Sequence, residues 1–105
     1  MRGNQHQMMQ QLQSTMNKMQ KAQEALGSET VEGGAGGAVT IKITGHLKVT
    51  EVKVTPEAVD PNDVAMLEEL LVTAMNDAIA KAQELAAKRM EPFTGGLKGL
   101  GLPGL

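Results

Sequence analysis

The stretch MMQQLQSTMNKMQKAQEAL, residues 8–26, limits what this chain can fold into more than any other feature. Met9, Leu12, Met16, Met19 and Leu26 recur at alternating steps of three and four, with Gln23 in the place of one apolar member. That is a heptad seam, which keeps one narrow stripe turned toward a partner helix. The other faces carry mostly Gln, Asn, Ser, Thr and Lys. A helix so polar is only marginally stable alone, so it requires something to pack against. Two partners suit it. One is a second helix of the same chain, giving ordinary core. The other is a surface that includes a second protomer, or a groove for peptide segments, to which flexible thioethers adapt.

The rest of the chain offers little bulk for a core. Its 105 residues make one domain, with one Phe and neither Trp nor Tyr. Val, Ile, Leu, Met and Ala must fill the interior, and association of two chains is a common remedy for so small a core. A homodimer is therefore expected. The chain has no cysteine, which removes disulfides and thiolate chemistry. The start MRGNQHQMMQ has no apolar run of the signal-peptide kind, and no stretch approaches a membrane span. A soluble, intracellular protein is expected, without membrane insertion.

After the first helix, expected from about residue 4 to Leu26 and stopped by Gly27, comes GSETVEGGAGGA, read as a flexible turn with a possible short edge strand at 30–32. Val39, Ile41 and Ile43 then alternate with Thr40, Lys42 and Thr44, the period of a half-buried strand. A further strand is expected from Leu47 to Thr55. Its apolar alternation slips between Val49 and Val52, so a bulge near Thr50 and Glu51 is needed to return Val52 and Val54 to the core face. Lys42, Lys48 and Lys53 fall off that apolar side. A second helix should open at Asp60-Pro61, with Asp60 as cap and Pro61 first, and end at Pro92. Bulky residues from Val64 to Met75 place its first half in the core, and alanines from Ala78 to Ala87 make the second half a slim exposed arm. The fold class is α+β: helix, three-stranded antiparallel sheet, helix. Residues 1–93 form one domain, and 94–105 a flexible Gly/Leu-rich tail.

Chemistry has little to stand on. GGAGG at 33–37 leads into a strand rather than a helix, so a hairpin turn is the better reading than a phosphate cradle. His6 and His46 have no partners at ligand spacing and read as solvated; no metal and no cofactor are expected. No nucleophile–base pair can be assembled, so no enzyme is expected. Asn76-Asp77, two poor helix formers inside an apolar helix, call for a structural or interface role, with ligand contact the second choice.

Charge is informative by its placement. The formal net charge is −2, yet Glu57, Asp60, Asp63, Glu68, Glu69 and Asp77 gather in one base-free segment while both ends are basic. A polyanion would meet the ends: Lys18 and Lys21 on one face of the first helix, and Lys81, Lys88 and Arg89 on the second. Lys42, Lys48 and Lys53 on the sheet are the secondary candidates. With one Phe there is no stacking platform for single strands, and lysine outnumbers arginine eight to two, so phosphate contact with broad sequence tolerance is expected.

The order of these segments, with VTIKITG, EVKVTPEAVDPNDVAMLEELLVTAMNDAIAKAQE and the tail GGLKGLGLPGL, resembles the YbaB/EbfC family of bacterial nucleoid-associated DNA-binding proteins. The likeness covers nearly the full chain and is most specific at Gly45, at Asp60 to Leu71, and at Ala74 to Ala78 with Lys81-Ala82. It implies a tweezers-like homodimer that binds duplex DNA, located in the cytoplasm on the nucleoid. It also implies an alternative, since related chloroplast proteins look like protein-biogenesis factors: a dimeric adaptor that takes protein segments into a Met-lined groove.

Overall fold

The computed structural model describes the backbone of residues 2–99 and the side chains of residues 4–93. Helix α1 (Arg2–Leu26) is followed by strands β1 (Thr30–Ala35), β2 (Val39–Thr44) and β3 (Val49–Val54), a short 3-10 turn (Pro56–Ala58) and helix α2 (Val64–Gly99). The strands form one antiparallel sheet in the order β1-β2-β3. The α+β arrangement is the one the sequence predicts.

The glycine run is less of a loop than expected. Gly33, Gly34 and Ala35 belong to β1, pairing with Ile41, Thr40 and Val39. Only Gly36 and Gly37 turn the chain, both at positive φ, where a side chain is disfavoured. Gly33 has a different task. A Cβ there would run into the backbone of Ala78, so the bare strand lets α2 lie directly on the sheet.

That close approach explains where the core sits. Val39, Ile41 and Ile43 of β2 are buried beneath Ala74, Ala78 and Ala82, a stripe of one residue per turn along α2. The expectation for α2 holds in part: Leu67, Leu70, Leu71 and Met75 of the bulky half do pack against this core, but Ala78 and Ala82 of the half expected to be exposed lie inside it. Alanine is what fits when helix and strand backbones almost touch, and Val64 and Val72 of the bulky half remain exposed. The expected ends of α2 also shift. Asp60 accepts from the Asn62 amide in a turn over 60–63, and Asp63 accepts from the Met66 amide and caps the helix instead. Pro92 lies inside α2 and forfeits one hydrogen bond without ending it. The expected flexible tail, 94–105, concerns side chains, and beyond Gly99 also backbone, outside the described residues.

The expected bulge is present: Lys42 pairs with Glu51 and Ile43 with Val49, leaving Thr50 as the extra residue. Val54, Val52 and Val49 thereby stand beside Val39, Ile41 and Ile43 on one face of the sheet. The helix does not reach them, and every residue of β3 is exposed.

Helix α1 touches α2 only toward its own C-terminal end. Leu26 is buried and Met19 half-buried, whereas Met8, Met9, Leu12 and Met16 are 68%, 71%, 61% and 55% exposed. The seam is thus core at its root and bare above it, so packing within one chain accounts for the root alone. The root is fixed by three links. The Gly45 amide donates to the Leu26 and Glu29 carbonyls, and a Cβ at Gly45 would strike Leu26. His46 Nε2 donates to the Gln23 carbonyl at 2.6 Å, so this histidine, exposed as expected, also serves as a strut. Arg89 of α2 grips Glu29 with two nitrogens at 2.6–3.0 Å.

Candidate nucleic-acid interface

The exposed cations sort into two groups by what they already hold. Lys81 pairs with Asp77 at 3.1 Å and Lys88 with Glu84 at 3.7 Å, each one helical turn away. Lys42 sits between Glu32 (3.9 Å) and Glu51 (3.6 Å), in the cross-strand register that places the three side by side on the outer face of the sheet. Arg89 is held by Glu29 in the fork geometry that makes guanidinium–carboxylate pairs strong. Glu29 is in turn held below the usual carboxylate range, by that hydrogen bond first and by the charge of Arg89 as a smaller cause.

Lys18, Lys21, Lys48 and Lys53 have no ion pair among the described residues. Lys18 and Lys21 share a shallow groove on α1 with Gln10, Gln13, Ser14 and Asn17. Up to Glu24 this helix contains no acid at all. Lys53 lies opposite Thr40 on the outer face of the sheet, and Lys48 leaves the β2–β3 turn. Of the five arm residues, Lys81, Lys88 and Arg89 are thus already held by carboxylates. Lys81 and Lys88 border β1 in a groove with Glu32 and Glu84, beside the sheet rather than on a free arm. The spacing of Asp77 to Lys81 and of Glu84 to Lys88 signals both pairings in the sequence. Nothing local signals the Arg89–Glu29 clamp, which spans 60 positions.

Asp77 has the structural role expected of it. The Gly34 amide donates to its Oδ2 at 2.9 Å, and this bond, with Lys81 as the second cause, holds its carboxyl below the usual range. The contact locks β1 to α2 one residue beyond the Gly33 slot. Among the described residues no group of three or more His, Cys, Asp or Glu is placed to hold a metal ion. No described helix is long and apolar enough to cross a membrane.

A sequence profile of the YbaB/EbfC DNA-binding family matches residues 1–97. A nucleoid-associated protein of Chloroflexus aurantiacus is 55% identical over 98 residues, covering 92% of this chain and 98% of that protein. One of Bacillus thuringiensis is 50% identical over 103 residues, covering 97% of this chain and 92% of its own. Among solved structures, the uncharacterized protein HP0035 from Helicobacter pylori shares the fold with a TM-score of 0.66 at 16% identity, over 88% of this chain and 95% of that one. With matching architecture and half its residues shared across nearly the full length, this chain belongs to the YbaB/EbfC DNA-binding family.

Proposed function

We propose that this protein is a non-enzymatic, nucleoid-associated protein that binds duplex DNA as a homodimer, through lysine–phosphate contacts with broad sequence tolerance. The observation that carries the reading is the acid-free length of α1 with its two unpaired lysines, in a family whose members bind DNA. Lys18 and Lys21 lead the assignment, and Lys48 and Lys53 follow. Lys81 and Lys88 contribute by exchanging an exposed carboxylate for a phosphate, a small cost because surface pairs are worth about 0–1 kcal/mol. Arg89 ranks last, since binding phosphate would undo the α1 clamp. The six acids between Glu57 and Asp77 keep that segment away from the duplex.

Dimerisation has its own support. Val49, Val52 and Val54 extend the core face of the sheet past the helix that covers it, and β3 is an edge strand. A second copy covering that face completes the core that one chain leaves open. The two relatives' names speak for the nucleoid and the family's for DNA, and neither speaks for the adaptor reading.

The test is a mobility-shift series with duplex DNA at several salt concentrations. About six phosphate contacts per dimer give a log–log salt slope near about −5. Lys18→Ala with Lys21→Ala should weaken binding to all duplexes alike and flatten that slope, with dimerisation intact. Undiminished affinity in that variant, with loss in Lys48→Ala plus Lys53→Ala, moves the interface to the sheet. Wild-type binding that ignores salt overturns the phosphate reading.

A further inference from the structure

The bare half of the α1 seam lies outside the lysines assigned above to DNA. Met8, Met9, Leu12 and Met16 stand exposed on the helix, and Met8, Met9 and Leu12 line a groove with Gln11 and Thr15. The stripe lies on the side of α1 away from the Gln10, Asn17 and Lys21 face, since helical rotation separates the two sets by about half a turn. It continues in register the part that is core at Met19 and Leu26.

We infer that this stripe pairs with the same stripe of another copy, antiparallel, as a short two-helix contact separate from the β3 face. Charge selects the occupant. Between Arg2 and Lys18 there is no acid, lysine or arginine, and Gln13, Thr15 and Gln20, which flank the seam, are all neutral. Flanking charges are what direct a coiled-coil helix toward a different partner or repel a like one. Their absence leaves the seam complementary to itself. A membrane surface would call for cations around the stripe, which this segment lacks.

Direction follows from the root. The three links at Leu26, Gln23 and Glu29 fix the protein body at the C-terminal end of α1. A parallel pair would force two bodies into the same space, whereas an antiparallel pair sets them at opposite ends and opposes the two helix dipoles. The heptad register centred on Ser14 sets Leu12 of one copy against Met16 of the other and Met9 against Met19. Four side chains per copy fall below the roughly 1,200 Å² of a stable specific interface, so the contact is weak alone. It gains strength when copies are crowded along DNA, and it joins one DNA-bound dimer to the next. The pairing does not depend on how DNA is gripped; its consequence for DNA does.

Sedimentation velocity across a wide concentration range, without DNA, tests the pairing. The wild type should rise in average mass by roughly twofold from low to high concentration, as weak self-association requires. Leu12→Gln with Met16→Gln should abolish the rise while circular dichroism and single-site DNA affinity stay at wild-type values. Because the chain has no cysteine, Leu12→Cys and Met16→Cys proteins give a second readout. Mixed and mildly oxidised, they should form the mixed disulfide faster than either forms a disulfide with itself. A wild type of constant mass, or a Gln variant that associates as the wild type does, overturns the inference. Failure of the β3 dimer is distinguishable, because the Gln variant would then sediment as an 11.1 kDa monomer.

Discussion

Strands β2 and β3, VTIKIT and VTEVKV, are both short runs of β-branched residues mixed with charge, and they end in opposite environments. Ile41 is fully buried; Val52, its cross-strand neighbour on the same face, is 48% exposed. Period-2 alternation assigned the face of each strand correctly but is silent on whether that face is covered. Cover comes from elsewhere, from an α2 that Gly33 admits onto β1 and β2 and that stops short of β3. A pattern in a strand states a requirement, and another element meets it.

The largest effect expected from breaking this comparison is in β2. Ile41→Ala should lower unfolding free energy by about 3–4 kcal/mol, the usual scale for an emptied aliphatic core site, measured by urea titration. The matching change in β3 should act on assembly. Val52→Asp should cost about 2–3 kcal/mol of association, the scale of an interface anchor, with the folded protomer surviving at 11.1 kDa in sedimentation. A Val52→Asp protein that remains dimeric would place the second copy somewhere other than β3.

A smaller, pH-dependent effect sharpens the contrast at β1, which is held by Asp77 while nothing comparable holds β3. The carboxyls of Asp77 and Glu29 are both depressed in the folded protein. Their contribution is therefore complete above the ordinary carboxylate range and is lost as pH falls through the lower folded values. Asp77→Asn should melt below the wild type at neutral pH, and the gap should close in strong acid. A gap independent of pH would mean that the Gly34 bond does not need the charge. Least of all should be Lys42→Ala, under about 0.5 kcal/mol, because its partners are exposed and screened.

Much of this architecture was legible. The element order, the Thr50 bulge and the special role of Asp77 all follow from local pattern, where neighbours in sequence are neighbours in space. What escaped was decided by distant residues. Ala74, Ala78 and Ala82 read as filler until Gly33, some 45 positions earlier, supplies a strand thin enough to receive them. The candidate site divides in the same way. Lys18 and Lys21 keep the free status the charge pattern suggested, whereas Arg89 is claimed by Glu29 from across the fold.

The three-point root of α1 has a mechanical consequence. A rod clamped at Gln23 and Leu26, with Glu29 held just past its end, cannot pivot at its base, so a load on its tip passes as torque into the sheet. The fastenings come from two parts of the fold: the Gly45 backbone and the His46 ring from the β2–β3 turn, and the Arg89 fork from α2. Loosening one leaves the lever stiff about the other two. The reach of this protein is therefore set at folding, by the bolts at the base of the arm, and whatever it grasps must match that gauge.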